Sequence, residues 1–395
     1  MNRVYILAII LICGILTFSS CSNEKNEVKF EKNGCFYLYA NINDSIEGRF
    51  VFDTGADGLY LDSTFLTRHH SIIKSDLDTA RMRGSGATDL KQVFLIKDTV
   101  KIAVGNYTHS FTNSPILKLT DINGDNIAGI IGNEFIKNQV LVIDNERLTL
   151  KIETVVNPKA YEMAILFDYN DGRIYLPVGL NTKEDLTITA NLLMDLGCSN
   201  AIILNSPYSK SLEALNILPQ NRVDYKILFA GALGGGSEGS DFRINSIKLG
   251  TDIIHNPIIS FSKDTLGAFS NTDYDGLLGN EILDRYNYAI DYRNQKLYLT
   301  QNAKSNEPFI STFRGFSAIK RNDVAIVNTI YYQSEAYKNG LRLGDLIVSI
   351  NNKKVSELTE QEFYEEMRFE KEEMKISIIR DEQQIDISFA LKYLL

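Results

Sequence analysis

The chain repeats itself, and the repeat limits what it can fold into. The segment "VFDTGADGLYLD", residues 51 to 62, returns as "NLLMDLGCSNAIILN", residues 191 to 205: an apolar run, an aspartate, a glycine two positions on, then a second apolar run. Asp53 and Asp195 are therefore equivalent positions, 142 residues apart. A second pair of segments keeps the same order. "IAGIIGNEFIKNQVLVIDNERLTLKI" begins at Ile127 and "YDGLLGNEILDRYNYAIDYRNQKLYL" at Tyr274, so Gly129, Gly132, Asn133, Glu134 and Asp144 recur 147 residues later as Gly276, Gly279, Asn280, Glu281 and Asp291. Two matches in one order commit the chain to two like lobes, each of single-domain size.

Between its paired segments each copy carries a glycine-rich stretch, "RGSGATDL" from Arg83 and "AGALGGGSEGSD" from Ala230. Alternating apolar and polar residues flank both, as in "VFLIKDTVKIAVG" and "DFRINSIKLG", which predicts β-hairpins and mainly β lobes. The hairpins read either as plain surface turns or as flaps over a cleft. Asp-Thr-Gly at residues 53 to 55 also has two readings. It makes a serviceable turn, because Asp and Thr bond nearby backbone and Gly accepts positive φ. Equivalent lobes, however, pack about a pseudo-twofold axis that brings equivalent loops together. Asp53 then lies beside Asp195, the two hold one proton between them, and such a pair can serve as acid and base toward water attacking an amide.

A net charge of −9 with no basic stripe argues against nucleic acid as a partner, since phosphate binding needs a basic surface. His69, His70, His109 and His255 are scattered, and no cysteine has metal-site spacing, which argues against structural zinc. Arg3 precedes the apolar run "VYILAIILICGILTF", and Ser19 and Ser20 lead into Cys21. This resembles a bacterial lipoprotein signal covering residues 1–20, which implies lipid on Cys21 after cleavage, a membrane anchor, and a body in the cell envelope facing the periplasm or the outside. An uncleaved membrane anchor is the alternative. Residues 21–33 are polar enough to serve as a tether. Cys35 and Cys198 remain in the exported body, where spacing alone does not decide whether they pair.

The residues Asp53-Thr54-Gly55-Ala56-Asp57, with Ile130-Ile131-Gly132 and its echo Leu277-Leu278-Gly279, resemble the aspartic proteases, more closely the retropepsin-like group than the pepsins. The resemblance covers about residues 28 to 300. It implies two acid-protease β-barrel lobes, residues 28–155 and 160–302, with Asp53 and Asp195 sharing the attacking water. Thr54 would hydrogen-bond across the base of the pair, Gly55 and Gly197 would let the loops approach, and Gly84 and Gly86 would lie in a flap. No cofactor is implied. Two positions depart from the family pattern: Leu196 stands where a hydroxyl residue usually follows the second aspartate, and Asn133 where retropepsins usually have an arginine. Cys198 invites a thiol-nucleophile reading, but no histidine lies at a recognisable activating motif.

Residues 308–395 differ in pattern. "GLRLGDLIVSINNKKV", with Gly340, Leu341, Gly344, Asp345, Leu346, Ile347, Ile350 and Asn351, resembles a PDZ domain, an α+β unit that takes an extended peptide as an added strand. The resemblance implies a carboxylate-receiving loop at Arg314, Gly315, Phe316 and Ser317, walled by the helix from Thr359; the alternative is a unit that only docks on the lobes. The expectation is a membrane-anchored aspartic endopeptidase acting on a peptide or protein substrate, with a separate PDZ ligand peptide. Its rival is a lipoprotein that keeps the protease fold and binds peptide without cutting it. A polysaccharide-binding role finds little support in a chain without tryptophan.

Overall fold

The computed structural model describes residues 27–395 except 83, 85, 87–89, 121–123, 125, 184–185 and 369–371; the leader and Cys21 lie outside the described residues. With 48% strand and 14% helix, the protein is mainly β. Among the described residues no helix is long and apolar enough to cross a membrane.

Each aspartate sits at the end of a strand that is buried because another strand covers it in parallel. Ile46–Phe52 runs into Asp53 and pairs with Gly129–Ile131, Phe50 opposite Gly129 and Phe52 opposite Ile131. Leu59–Asp62 then pairs with the other edge of Gly129–Ile131. The second copy repeats this. Leu186–Met194 runs into Asp195 and pairs in parallel with Gly276–Leu278, Leu192 opposite Gly276 and Met194 opposite Leu278, while Ile202–Leu204 takes the other edge. The ends that lead into the aspartates, Phe50–Phe52 and Leu192–Met194, are apolar, as are the short strands Gly129–Ile131 and Gly276–Leu278 beside them. The leading glycine is required by the close approach: a Cβ on Gly129 would stand 2.1 Å from the Tyr60 oxygen, and one on Gly276 2.3 Å from that of Ile203.

A shared sheet joins the lobes. Val140–Asp144 pairs antiparallel with its own repeat, Tyr286–Asp291, and Val142 faces Ala289, its equivalent 147 residues on. Leu141 faces Ile290 and Ile143 faces Tyr288, so these two contacts are each other's counterparts. That reciprocity is the mark of a local twofold axis through Val142 and Ala289. Thr149–Glu153 and Lys296–Gln301 flank this central pair, and Val28–Asn33 and Met163–Leu166 complete the sheet. One apolar cluster runs through both lobes, with Phe36, Phe52, Leu141 and Ile143 from the first and Leu192, Met194, Tyr288 and Ile290 from the second.

Part of the expected tether is corrected by this sheet. Residues 28–33 form a strand paired with Leu150 on one side and with residues 35–38 on the other. The polar residues of "VKFEKN" conceal an alternation in which Phe30 points inward, 4% exposed, and stacks on Phe36 at 3.8 Å.

Residues 308–395 have a core of their own, built on Phe316, Val327, Ile347, Phe363, Ile376 and Phe389. Two short helices belong to this unit, Glu335–Lys338, capped by the Ser334 hydroxyl, and Glu360–Arg368. The unit is joined to the second lobe by a continuous ladder. Its strand Val324–Tyr331 pairs with Arg222–Ile227, Tyr225 opposite Tyr331 and Ile227 opposite Thr329, and the Tyr331 hydroxyl donates to Asp241 at 2.7 Å. Arg222–Ile227 and Ser237–Arg243 are the two arms of the hairpin that carries the second glycine-rich stretch.

Candidate active site

The two aspartate loops meet face to face. A Cβ on Gly55 would stand 2.8 Å from the Asp195 carboxyl carbon, and one on Gly197 2.8 Å from that of Asp53, so only hydrogen at both positions allows the approach. Matching bonds hold each carboxylate: the Gly55 amide donates to Asp53 Oδ1 at 2.7 Å, and the Gly197 amide to Asp195 Oδ1 at 2.8 Å. The strands behind them fix both main chains, with the Asp53 amide on the Ile131 oxygen at 3.0 Å and the Asp195 amide on that of Leu278 at 2.9 Å.

Thr54 spans the pair. Its hydroxyl donates to the Met194 oxygen at 2.7 Å and accepts from the Leu196 amide at 3.1 Å, with the side chain fully buried. Leu196, the equivalent of Thr54, is equally buried and has no hydroxyl to return the grip. Asn133 and Asn280 hold the two loops from beneath, donating to the Thr54 oxygen at 2.6 Å and to the Leu196 oxygen at 2.8 Å. Asn133 also accepts from the Tyr292 hydroxyl at 2.6 Å. Asp57 is engaged by its own loop and accepts from the Tyr60 hydroxyl and the Gly58 amide.

Burial raises the carboxyls of both Asp53 and Asp195, and the charge of Asp53 next to it pushes Asp195 well above the usual carboxylate range. Two carboxyls in contact in a site of this kind keep one proton between them. Both bind a proton more readily in the fold than in the unfolded chain, so stability falls as pH rises from the unfolded carboxylate value toward the folded one. Asp195→Asn removes this penalty. The variant is expected to outlast the parent in thermal unfolding at neutral pH, with the gap closing as pH falls toward about 4, the ordinary carboxylate value. A gap of equal size at every pH would show that ionisation of Asp195 is not what the fold resists.

Both aspartates line a cleft of about 660 Å3. Its apolar walls include the equivalent residues Ile130 and Leu277, and Gly84 and Leu233 reach it from the two glycine-rich loops. Those loops touch each other: Lys91 Nζ donates to the Leu233 oxygen at 2.7 Å, and a Cβ on Gly86 would stand 2.7 Å from the Gly235 oxygen. Gly84 also accepts from the Ala268 amide at 3.1 Å, which ties the first loop to the second lobe. Gly84 and Gly86 thus lie on a loop that reaches the cleft and touches its counterpart from the second lobe.

Two residues at the site have no place in the sequence motifs. Arg173 follows the Asp171-Gly172 turn, both residues at positive φ, and its Nε donates to the Gly55 oxygen at 3.0 Å while the side chain lines the cleft. The Asp-Gly hairpin was readable in the sequence, but its docking on the opposite lobe was not. Cys35 donates its thiol to the Gly197 oxygen at 3.1 Å. Cys35 and Cys198 are both free thiols, so they do not pair. Burial, reinforced by the neighbouring aspartates, pushes the Cys35 thiol up to about 12 and Cys198 well above its ordinary value, which leaves neither a thiolate to act as nucleophile.

Far from the cleft, residues 314 to 317 are largely engaged within their own unit. Arg314 donates to the Met367 oxygen, the Gly315 amide to the Thr312 hydroxyl at 3.1 Å, and the buried Phe316 packs on Phe389. Ser317 is the second residue of the strand Phe316–Arg321, which pairs along one edge with Val324–Tyr331 and has no strand on its other edge among the described residues. Among the described residues no cluster of histidine, cysteine or carboxylate side chains could hold a metal ion. No protein-family model matches the chain, and no match was found among curated proteins.

Proposed function

We propose that the protein is an aspartic endopeptidase of the retropepsin-like type, with two fused lobes (28–155 and 160–302) and a PDZ-like unit (308–395). The observation that carries this reading is the reciprocal contact of Asp53 and Asp195 inside a cleft that two glycine-rich loops reach. A peptide lying in the cleft would place its carbonyl above the pair. Water gives a proton to the ionised carboxylate as its oxygen bonds to the carbonyl carbon, and the protonated partner gives its proton to the carbonyl oxygen. The resulting neutral gem-diol collapses as the C–N bond breaks and the amine takes up a proton. The edge of Phe316–Arg321 on which no strand lies among the described residues suits strand addition by a second peptide, and the leader of residues 1–20 before Cys21 supports a lipid-anchored location in the cell envelope.

The test is incubation of the purified protein with a mixed peptide library across about pH 4 to 8, bracketing the titration of a carboxyl pair, beside Asp53→Asn and Asp195→Asn. Cleavage by the parent that disappears in both variants supports the peptidase. One observation favours a second reading: with Leu196 in place of a hydroxyl residue, the grip on the pair is one-sided. Peptides that bind in the cleft and emerge intact at every pH would establish a peptide-binding protein of the same fold.

A further inference from the structure

The two aspartate loops match in most of their bonds and differ, beyond the hydroxyl that Thr54 has and Leu196 lacks, in one more. The carbonyls of Gly55 and Gly197 are equivalent, 142 residues apart, and each accepts a bond from a side chain of distant sequence. On Gly55 the donor is the guanidinium of Arg173, at 3.0 Å; on Gly197 it is the neutral thiol of Cys35, at 3.1 Å. Each of these peptide groups continues to an amide that donates to the main-chain oxygen of its own aspartate at 3.2 Å, Ala56 to Asp53 and Cys198 to Asp195, and that also favours the ionised carboxylate beside it. A peptide whose oxygen is held by a cation becomes a stronger donor at its N–H, because bonds in series polarise one another.

We propose that Arg173 is a positioning residue that breaks the symmetry of the pair: its charge, held against the Gly55 carbonyl, keeps Asp53 ionised, so the shared proton resides on Asp195. The inference concerns the carboxylate pair on which the peptidase reading rests, and it assigns the roles within it. Asp53 becomes the base that takes the proton of water, and Asp195 the acid that protonates the carbonyl oxygen.

The surrounding groups fit this division. The ionisable groups facing Asp53 are Asp195, Arg173, Tyr60 and the Cys35 and Cys198 thiols, and Arg173 is the cation among them. Asp195 is faced by Asp53, Cys35, Cys198 and Tyr274. Tyr60, Tyr274, Cys35 and Cys198 are all raised by burial and stay neutral, so none offsets the charge of Arg173. Asp168, Asp171 and Asp273 share the cleft wall with Arg173, and Asp57 lies against the neighbouring Gly172; these acidic groups can weaken its field.

The test reads the proton directly and needs no turnover. The purified protein, labelled with 13C at the aspartate carboxyl carbons, is titrated by NMR, with the two resonances assigned from Asp53→Asn and Asp195→Asn. Asp53 is expected to ionise first and Asp195 to stay protonated to higher pH. In Arg173→Gln the lower of the two midpoints is expected to rise by about one pH unit, the low end of what an opposite charge contributes. Arg173→Lys, which keeps the charge, is expected to restore most of it. An unchanged titration in Arg173→Gln overturns the proposal, and so does a parent in which Asp195 is the ionised partner. The parent measurement decides even if Arg173→Gln does not fold. A protein that shows the split but cuts no peptide keeps this inference and removes the peptidase reading; cleavage without the split does the reverse.

Discussion

Gly197→Ala is expected to abolish the peptide cleavage proposed above and to destabilise the fold, and Gly55→Ala to do the same from the other lobe. The new methyl at residue 197 would stand 2.8 Å from the Asp53 carboxyl carbon and 2.9 Å or less from both its oxygens. Asp53 cannot step aside, because Oδ1 is held by the Gly55 amide at 2.7 Å and its own amide by the strand behind it. The loops must therefore part, and parting them separates the carboxyls that share the proton. A displacement of about 1 Å at reacting groups costs on the order of 100-fold in rate. Here the pair itself is broken, so a loss of at least about 1,000-fold is expected, with about 1–3 kcal/mol of stability lost to overpacking. Gly58→Ala is the control, since its Cβ would meet nothing nearer than Glu134 Oε2 at 3.8 Å. Peptide cleavage and urea unfolding of the three variants decide the matter. Near-parent rates in Gly197→Ala would mean that the loops do not need this contact to work.

Thr54→Val is expected to cost about 2–5 kcal/mol of stability, because one hydroxyl serves two buried main-chain groups and each group left unsatisfied costs about 1–3 kcal/mol. Valine keeps the volume and removes both the bond to the Met194 oxygen and the acceptor for the Leu196 amide. In a symmetric pair of loops a second hydroxyl would share that role. Here Leu196 supplies only packing, so the hydroxyl bridge between the loops rests on Thr54. Leu196→Val, which removes packing alone, is expected to cost about 1 kcal/mol. Urea unfolding of both variants separates the two roles. Equal costs would show that the hydroxyl bridge contributes no more than a methylene group.

The apolar cover of each aspartate strand was legible because it is written as a pattern: a run with no polar interruption in "GII" and "GLL" is what a strand covered on both faces requires. The equivalence of Asp53 and Asp195 was legible for a related reason. A duplicated segment keeps its spacing along the chain whether or not the fold is known, and the register of Val142 on Ala289 follows the same offset that the sequence carries. Leu196 was readable as an absence, since a side chain without a hydroxyl cannot donate wherever it lies. Residues 28–33 were misjudged because composition averages over a strand whose two faces differ. Phe30 alone carries the inward face, and its partner Phe36 lies across a turn.

The sequence by itself determined that there are two copies, which residues are equivalent, and which strands lead into the paired carboxylates, because these follow from repetition and from the period of apolar residues. Only the tertiary structure decided what differs between the copies. Arg173 reaches Gly55 across 118 positions of chain and Cys35 reaches Gly197 across 162, and neither contact leaves a local pattern. The ladder from Arg222–Ile227 to Val324–Tyr331 is equally silent, because backbone hydrogen bonds along a strand edge are made by every residue type. Symmetry is a property of repeated segments and can be read along a line, whereas its breaking depends on which distant side chain arrives at each copy.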